Sequence, residues 1–460
     1  MAGSPRAKRP WYRRATAEGE DHEVLSHLAR SMAYEVAVVA VTAVSVSVIL
    51  FVISAGQFED LYLKLRGSAP TSDQVALLTI GEEGLYLYNA DDVEPEVTPR
   101  ALLGELVRFC AAAGAEVVVL DVLLDRPEDG DEALVAAIEE TGMPVVGAVR
   151  FMLTDPESGA EFAPGLSPSL EGAVVAGFAN LQEEEPYLFS ETMLVRKAPL
   201  TRRVGTARLS GRWPLNIIGA EQSDDTVIPS ITLAAAFLKS QGTPEQLHDL
   251  LQAGGELGLK NLERPYDGVL INFRGPEGGD GIPTVRAASA LRTMGMSALA
   301  GTMGQPMPIE VPEELAQALR GRVVVIGRVD KVGRENADRF ATPYSFPTFA
   351  RPDMAGARIQ AQVIDTLISG RHVRPVGGTA AWWLALLLSG SVYFTRRLFR
   401  DDVHVVGWSL IGLGMVGTGV LVFRLTDGLS LQVGPPLGAA LVMLTAVHVV
   451  GWSFEESRRT

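Results

Sequence analysis

The sequence predicts an α/β protein with a mixed, mostly parallel sheet and flanking helices outside the cytoplasm, together with four transmembrane α-helices. Three observations predict this fold class. Four uncharged apolar stretches are each long enough to cross a bilayer, which takes about 20 residues. Between the first and the second stretch, short buried-strand patterns alternate with helical patterns, as in a parallel sheet. Basic residues cluster beside the apolar stretches and indicate their orientation.

The composition is typical of a membrane protein that carries a large folded domain. The chain has 460 residues, 47% of them hydrophobic, and its mean hydropathy is +0.17. Cys110 is the only cysteine, so no intramolecular disulfide can form. It lies in the apolar helical pattern LVRFCAAAG, which predicts a buried structural thiol.

The first apolar stretch begins at Val36 and stays uncharged as far as Phe58. Three more follow near the other end of the chain, over 375–395, 403–423 and 429–454. Only RRLFRDD and RLTDG separate these three, so we expect a tight hairpin bundle. A cleaved signal peptide is the alternative for the first stretch, although the apolar run is longer than a signal core and follows a long polar leader.

The distribution of lysine and arginine predicts the orientation of the spans. Basic residues precede the first span, lie between the second and third, and follow the fourth, so these segments are predicted to be cytoplasmic; Arg424 is the exception. The predicted order is a cytoplasmic basic leader (1–35), a transmembrane helix (36–57), an extracytoplasmic domain (58–375), three transmembrane helices (376–395, 403–423 and 429–454) and a cytoplasmic tail (455–460). This order predicts a multi-pass protein of the cell (inner) membrane, with membrane lipid around its spans.

The predicted extracytoplasmic segment carries the negative charge of the molecule. Residues 56–377 contain 28 Lys and Arg against 45 Asp and Glu, a net charge of 28 − 45 = −17. Nucleic acid is therefore not expected as a partner. An acidic surface is more often solubilising than a cation site, although it also suits a sensor of divalent ions or cationic peptides.

Strand and helix patterns alternate along this segment. VALLTIG (75–81) predicts a buried strand, PRALLGELVRFCAAAG a helix opened by Pro99, and AEVVVLDVLLD a second strand, which together form a β-α-β unit. DEALVAAIEETG predicts a helix that ends at Gly142, and PVVGAVRF a further strand. PSITLAAAFLKS and TPEQLHDLLQAGG predict two more helices. GRVVVIG (321–327) predicts a late strand, and AGARIQAQVIDTLISG a helix that ends at Gly370.

The order of these elements resembles the CHASE type 2 sensor domain. The resemblance rests on TPRALLGELVRFCAAAGAEVVVLDVLL, VVAGFANLQEEEPYLFSETMLVRKAPL, IPSITLAAAFL, GVLINFRGPEG, GRVVVIGRVDKVGRENADRFATPYS and AGARIQAQVIDTLISGRHVRP, followed by three spans. It covers about 59–375 plus the bundle. It implies the extracellular input module of bacterial receptors, which is joined in that family to cyclases, histidine kinases or serine/threonine kinases.

Two positions depart from the family's pattern. After the first strand Gly81 stands where the family tends to place an acidic residue, so Glu82 or Glu83 is the substitute. Gln360 stands where the family usually shows a histidine. If that histidine binds a ligand, specificity is changed or lost here. Glutamine keeps hydrogen-bonding capacity but cannot titrate near neutral pH, so we expect no pH sensing through this position.

Candidate binding residues follow the predicted strands. Asp121 ends one strand, where ligands of open α/β sheets bind. Arg328, Asp338 and Thr342 follow the strand GRVVVIG, so the two strand ends are predicted to face one crevice. Arg100, at the start of a helix, is a candidate anion anchor. The alternatives are a solvated acidic loop and helix cap for the Asp121 region, and a structural salt bridge with Asp121 or that loop for Arg100.

We expect no catalytic, metal or cofactor site. GLGMVG lies inside the third predicted span with no strand before it, so small-residue helix packing is the interpretation we favour over nucleotide binding. The six histidines are scattered, and no Walker A, H-E-x-x-H, C-x-x-C or G-x-S-x-G motif occurs. The ligand-binding candidates are Arg100, Asp121, Arg328, Asp338, Thr342 and Gln360.

The sequence favours a sensor that acts through another protein. The chain closes with FEESRRT soon after the fourth span, so we expect no kinase or cyclase domain of its own. The expected partners are an unknown small ligand or envelope protein, a separate cytoplasmic kinase or cyclase, and a second copy in a homodimer. The alternative is a non-catalytic envelope scaffold or protein-binding module.

Overall fold

The structure is a computed structural model of the 460-residue chain. It describes 57–88, 98–150, 153–154, 161–164, 166–184, 194–204, 208–210, 226–262, 268–301, 309–329, 338–345, 354–376 and 401–431, together with scattered helical positions between 379 and 444.

The helices of the described residues are numbered in chain order. They are α1 (Gln57–Arg66), α2 (Glu82–Tyr88), α3 (Arg100–Ala112), α4 (Asp131–Thr141), α5 (Ile231–Lys239), α6 (Pro244–Ala253), α7 (Ala287–Gly301), α8 (Glu313–Leu319), α9 (Gly356–Ser369) and α10 (Asp401–Thr426).

The strands are numbered in the same way. They are β1 (Val75–Ile80), β2 (Val117–Leu123), β3 (Val145–Val149), β4 (Leu153–Thr154), β5 (Glu161–Pro164), β6 (Val175–Phe178), β7 (Gln182–Glu184), β8 (Leu194–Ala198), β9 (Thr201–Val204), β10 (Arg208–Ser210), β11 (Thr226–Pro229), β12 (Val269–Leu270), β13 (Thr284–Arg286), β14 (Val323–Arg328), β15 (Arg339–Phe340), β16 (Met354–Ala355), β17 (Arg374–Val376) and β18 (Leu429–Leu431).

A six-stranded sheet forms the centre of the fold, in the order β13-β1-β14-β2-β3-β6, and all of its neighbouring strands are parallel. Every residue of β1 is buried, because a parallel sheet is covered by helices on both faces and favours continuous apolar runs. Small antiparallel pairs, such as β7 with β8 and β9 with β11, lie outside this sheet. The prediction of a mostly parallel sheet with flanking helices is therefore confirmed, and the antiparallel pairs lie outside the central sheet rather than within it.

The two faces of the sheet pack against different helices. Leu78 and Ile326 share one hydrophobic core with Leu102 and Leu106 of α3. Since successive residues of a strand point to opposite faces, the odd-numbered residues of β14 face the other way. There α9 packs against β1 and β14, and α5 packs against α9. Asp121 alternates with the buried Val118 and Leu120 of the first core and so belongs to the α9 side.

Local capping signals explain where several helices begin and end. Ser230 caps α5 by accepting a hydrogen bond from the Leu233 amide at 3.2 Å. Thr243 opens α6 with a reciprocal capping box. Gly142 and Gly370 end α4 and α9 with φ of 61° and 65°, a left-handed conformation that glycine adopts without steric cost. These are the glycines at which the sequence predicts the two helices to end.

The chain divides into two compact units. The large unit comprises 59–374 together with 422–430, and it contains the whole central sheet. The other unit comprises 1–58, 375–421 and 431–460. The segment 422–430 was predicted to contain the end of the third span, a connecting loop and the first two residues of the fourth span. It belongs instead to the large unit, and Leu429–Leu431 form strand β18 there.

One helix of the described residues is long and apolar enough to cross a membrane. It is the stretch Gly407–Thr426 of α10, of which only 11% is buried inside the protein. This stretch overlaps the predicted third span, 403–423. The predicted spans 36–57 and 429–454 lie largely outside the described residues, as does half of 376–395, so all three stay predictions.

Candidate functional site

A pocket of about 410 Å³ lies at the carboxyl edge of the central sheet, close to the ends of β2, β3 and β6 and the start of α9. Its polar and aromatic lining comes from Asp121, Arg150, Asn180, Asp338, Phe340 and Gln360. Ligands of open parallel sheets bind at this edge, because the loops after the strands converge there. Its volume suits a small molecule.

Asp121 reaches the pocket from β2, where it lies in register with Gly327 of the neighbouring strand β14. A Cβ atom at position 327 would lie 2.5 Å from the Ala357 Cβ atom and 3.3 Å from the Asp121 Cβ atom. Only a residue without a side chain allows α9 to lie this close to the sheet. Gly327 therefore brings the first turn of α9 against the strand that carries Asp121.

Asp338 lies at the amino terminus of α9. Its carbonyl oxygen accepts a hydrogen bond of 3.0 Å from the Gly356 amide, the first residue of the helix. A Cβ atom on Gly356 would lie 2.6 Å from the Asp338 Oδ1 atom, so the carboxylate packs directly over this glycine. The partial positive charge at a helix amino terminus favours a negative charge in this place.

Gln360, one turn further along α9, lines the same pocket and is almost fully buried. Its Nε2 atom donates a hydrogen bond of 2.8 Å to the Ala179 carbonyl, just beyond the end of β6. This contact joins α9 to the far end of the sheet. Gln360 is therefore a structural part of the pocket wall as well as a polar group within it.

The electrostatics of the two carboxyl groups are linked. Burial, and then the negative charge of Asp338, raise the pKa of Asp121. Burial raises the pKa of Asp338 as well. Solvent moderates both effects, because Asp121 is half-buried and Asp338 is exposed as a whole residue. The pair therefore favours a state in which Asp121 retains a proton while Asp338 is charged, which gives the pocket one acid donor and one acceptor.

Arg150 brings a positive charge to the same wall. Its guanidinium binds Asp125, two residues after the end of β2, with Nε to Oδ2 at 2.6 Å and Nη2 to Oδ1 at 3.2 Å. Such a two-point contact fixes the plane of the guanidinium. The Arg150 side chain remains 30% exposed, so one side of it still faces solvent.

The other sequence-predicted candidates lie elsewhere. Arg100 is 1% exposed and pairs with Asp131 and Glu128, each at 3.3 Å, while its Nη2 atom donates to the Leu123 carbonyl at 2.7 Å. The alternative interpretation, a salt bridge with the acidic loop, is therefore what the structure shows at this residue. A second partner considered for it, Asp121, lies instead in the pocket.

Arg328 and Thr342 are also not among the described residues that line the pocket. Arg328 ends β14 in register with Ile80 and is not among the residues that line the pocket. Thr342 is fully buried, and its Oγ1 atom accepts a hydrogen bond from the Tyr344 amide at 3.4 Å. Of the six candidates, the pocket brings together Asp121, Asp338 and Gln360.

A second cavity, of about 490 Å³, lies at the end of β1. Gly81, Glu82 and Glu83 line it, together with Arg286 of the edge strand β13. The two glutamates that stand beside the family's acidic position thus share one cavity with a basic residue. Among the described residues, no group of three or more histidine, cysteine, aspartate or glutamate side chains is arranged to hold a metal ion.

Three polar or aromatic residues of the pocket, Arg150, Asn180 and Phe340, were not predicted from the sequence. Arg150 comes directly after β3, and Asn180 two residues after β6. The rule that singled out Asp121, namely a polar residue where a buried parallel strand ends, also applies to these two. The position of β6 within the sheet, however, cannot be read from its short apolar run.

Comparison with known families agrees with this architecture. The model of the CHASE2 domain matches residues 36–413, which is more than half of the chain. No curated protein and no solved structure matches the chain. The parallel sheet, the pocket at its carboxyl edge and the long apolar helix after it all lie in the matched range or adjoin it. The chain therefore belongs to the CHASE2 domain family, whose domain is an extracellular sensor module.

Proposed function

We propose that this protein is a membrane-anchored extracytoplasmic sensor that binds a small polar ligand in the pocket at the carboxyl edge of its sheet and signals through its membrane bundle to a partner protein. The observation that carries the proposal is the meeting of Asp121, Asp338 and Gln360 around one pocket, although 217 positions separate the two aspartates in the sequence. Membership in the CHASE2 family supports the sensor role.

The lining of the pocket favours a ligand rich in hydrogen-bond donors. Asp338 offers carboxylate oxygens, which accept hydrogen bonds from hydroxyl and ammonium groups. Asp121 donates while it holds its proton and accepts once it is ionised. An ammonium group near both carboxylates would also lower the electrostatic cost of ionising Asp121. Amino alcohols, polyols and small amines are therefore the first compounds to test.

The membrane part of the proposal is a four-span anchor. Spans over 36–57, 376–395, 403–423 and 429–454 would anchor the large domain on the extracytoplasmic side of the membrane. The apolar stretch of α10 supports the third of these spans. The basic clusters of the sequence favour a cytoplasmic leader and tail.

The proposal assigns binding, and no catalysis, to the pocket. A ligand that binds one conformation of the domain more tightly would shift a two-state equilibrium towards it. The shift would reach a separate cytoplasmic kinase or cyclase through the bundle, in a monomer or a homodimer. A pull-down of the detergent-solubilised chain that recovers such an enzyme would support this part of the proposal.

Ligand binding is tested by thermal denaturation of the full-length chain in detergent, with and without each candidate compound. A compound that binds only the folded state raises stability by RT ln(1 + [L]/Kd). The compound that stabilises the parent should lose its effect in Asp121→Asn and in Asp338→Asn. Asp129→Asn, at an exposed position of the acidic loop, is the matched control and should retain the full effect.

Two outcomes would contradict the pocket. The first is a ligand that stabilises both aspartate variants as much as it stabilises the parent. The second is a set of compounds of these classes none of which stabilises the parent at millimolar concentration.

A scaffold without a small ligand is the second candidate, and one observation favours it. The Gln360 amide, at the family's histidine position, is already bound to the Ala179 carbonyl and holds the pocket wall together. If Gln360→His creates stabilisation by a compound that the parent does not bind, the parent has lost a ligand site and the scaffold is favoured.

A further inference from the structure

The turn that follows α10 is held by an arginine cluster of the large unit. Arg274 Nη1 donates to both carboxylate oxygens of Asp427, at 2.7 and 2.8 Å. Arg66 and Arg371 contact the same carboxylate at 3.3 and 3.1 Å. Asn272 Nδ2 donates to the Asp427 carbonyl at 2.8 Å. We call these five residues the Asp427 clamp.

The clamp is a buried ionic site rather than a surface salt bridge. The side chains of Arg274 and Arg66 are 0% and 3% exposed, whereas that of Asp427 is 26% exposed. A guanidinium that is removed from water needs a charged partner, and losing the partner leaves an uncompensated buried charge. Asp427 also has φ of 51°, which is uncommon for a residue with a side chain. Its contacts therefore hold the backbone in this conformation.

The backbone of the turn is fixed on both sides. The Gly428 carbonyl accepts a hydrogen bond of 2.8 Å from the Arg374 amide. A Cβ atom at position 428 would lie 2.8 Å from the His372 carbonyl oxygen, so only glycine fits between them. Ser430 is fully buried and donates to Glu59 Oε1 at 3.1 Å.

Three parts of the chain that adjoin predicted spans thus meet at the clamp, around Asn272 and Arg274. Arg66 belongs to α1, which follows the first predicted span; Arg371 lies just before the second; Asp427 connects the third to the fourth. In the four-span topology these are all of the extracytoplasmic junctions between the domain and its membrane segments, since the connection between the second and third spans is cytoplasmic. In that topology the clamp joins every point at which the chain would enter or leave the membrane on this side.

The clamp is also bonded to the helix that lines the pocket. Arg274 Nε binds Asp365 Oδ2 at 3.0 Å, and the Arg274 amide donates to Gln362 Oε1 at 2.6 Å. Asp365 and Gln362 belong to α9, the helix that begins under Asp338 and carries Gln360. Asp365 is fully buried and also accepts a hydrogen bond of 2.8 Å from the Ser72 amide. A displacement of α9 would therefore shift Arg274 through these hydrogen bonds.

We propose that the Asp427 clamp fixes the extracytoplasmic domain to the chain segments that lead into its membrane spans. We propose further that α9 connects the clamp to the pocket. Arg274 is the positioning residue that links the two. A role of the clamp in signalling depends on the proposed sensor function. The test of the clamp requires neither a ligand nor a membrane, so a failure of the clamp and a failure of ligand binding are distinguishable.

The test measures thiol accessibility in the full-length chain in detergent. Ser430→Cys places a buried thiol in β18, directly after the turn, while the native Cys110, buried in the core, reports unfolding of the whole domain. N-ethylmaleimide labelling of each thiol is followed by mass spectrometry. Adding Asp427→Asn should accelerate labelling at position 430 at least tenfold and leave Cys110 protected.

Three further variants sharpen the result. Asp365→Asn does not touch Asp427 and should still accelerate labelling at position 430 several-fold, because it loosens Arg274. Arg371→Gln, at the 44% exposed rim of the clamp, should have a smaller effect of the same kind without leaving an unpaired buried charge. Glu314→Gln, at an exposed position on α8, is the matched control and should change nothing.

The clamp is refuted if Asp427→Asn leaves the labelling at position 430 at the parental rate. It is also refuted if both thiols label faster by the same factor in Asp427→Asn and in Arg371→Gln, since the contacts would then support the whole domain and not the turn. Parental labelling in Asp365→Asn would refute the connection through α9.

Discussion

Replacing Asp121 by asparagine tests the electrostatics of the pocket without any ligand. Asparagine has nearly the shape of aspartate but cannot ionise. Asp121 is a half-buried residue two positions before the end of β2, and its ionised form meets both desolvation and the charge of Asp338. We therefore expect the free energy of unfolding of the parent to fall as this carboxyl ionises. The free energy of unfolding of Asp121→Asn should not fall for this reason.

The sign and the size of the effect follow from linkage. The ordinary pKa of an aspartate is about 3.9, and burial and Asp338 raise the pKa of Asp121 to about 8. Between these values the folded state binds more protons than the unfolded state, so the free energy of unfolding falls as the pH rises. One pKa unit corresponds to about 1.4 kcal/mol. Because solvent reaches the pocket mouth, we expect the equivalent of one to two units, about 1.4 to 2.7 kcal/mol, to be lost between pH 4 and pH 8.

The assay is urea denaturation of the full-length chain at several pH values, with the accessibility of Cys110 as the measure of unfolding. Cys110 is fully buried in the core, and its labelling rate is normalised to the unfolded chain at the same pH. Other groups also titrate, so the quantity of interest is the difference in unfolding free energy between variant and parent. This difference should shift in favour of Asp121→Asn as the pH rises, whereas Asp129→Asn should show no such trend. A difference that is equal at pH 4 and pH 8 would refute the reasoning.

The remaining predictions concern topology and packing. Reporter fusions should place Gly279 outside the cytoplasm and Thr460 inside, and a cytoplasmic Gly279 would overturn the orientation drawn from the basic clusters. Gly327→Ala should lower the free energy of unfolding, measured by chemical denaturation, by about 1–3 kcal/mol, because its Cβ atom would collide with α9. Gly295→Ala is the control on α7, where a Cβ atom meets no described atom within 4 Å. This variant should be neutral or slightly stabilising in the same assay. A Cβ atom at position 417 would meet no atom of the described residues within 4 Å, so this face is open to a second copy of the chain. Gly417→Leu should therefore weaken a homodimer, measured by light scattering in detergent. An unchanged mass would indicate that this face contacts lipid.

Much of the fold could be predicted because its signals are local. The apolar runs that became β1, β2 and β14 are short, rich in valine and bounded by turn residues, which is typical of strands buried on both sides. Helix ends were equally accessible, since a glycine in the left-handed conformation ends α4 and α9. The small antiparallel sheets were missed, because two- to five-residue strands carry too short a pattern.

The candidate site could be predicted in part. Asp121 and Asp338 were expected to face one crevice, because the carboxyl ends of parallel strands lie at the same edge, and the pocket contains both. Arg100 has the sequence context of an anion anchor, but the acidic loop after β2 folds back and neutralises it. Thr342 is buried away from the pocket. Neither outcome has a signature in the spacing of residues.

The sequence by itself determined the alternation of strands and helices, the family and the acidic character of the large domain, since hydrophobic period, capping residues and charge are properties of neighbouring positions. Only the tertiary structure decided which charges meet. Arg274 and Asp427 are 153 positions apart, and Arg66 and Asp427 are 361 apart. Ion pairs of this kind depend on how the chain returns to the same place, and no periodic pattern records that return. The short RLTDG connection therefore looked like a simple loop, and its aspartate became part of the domain's buried charge network only through the fold.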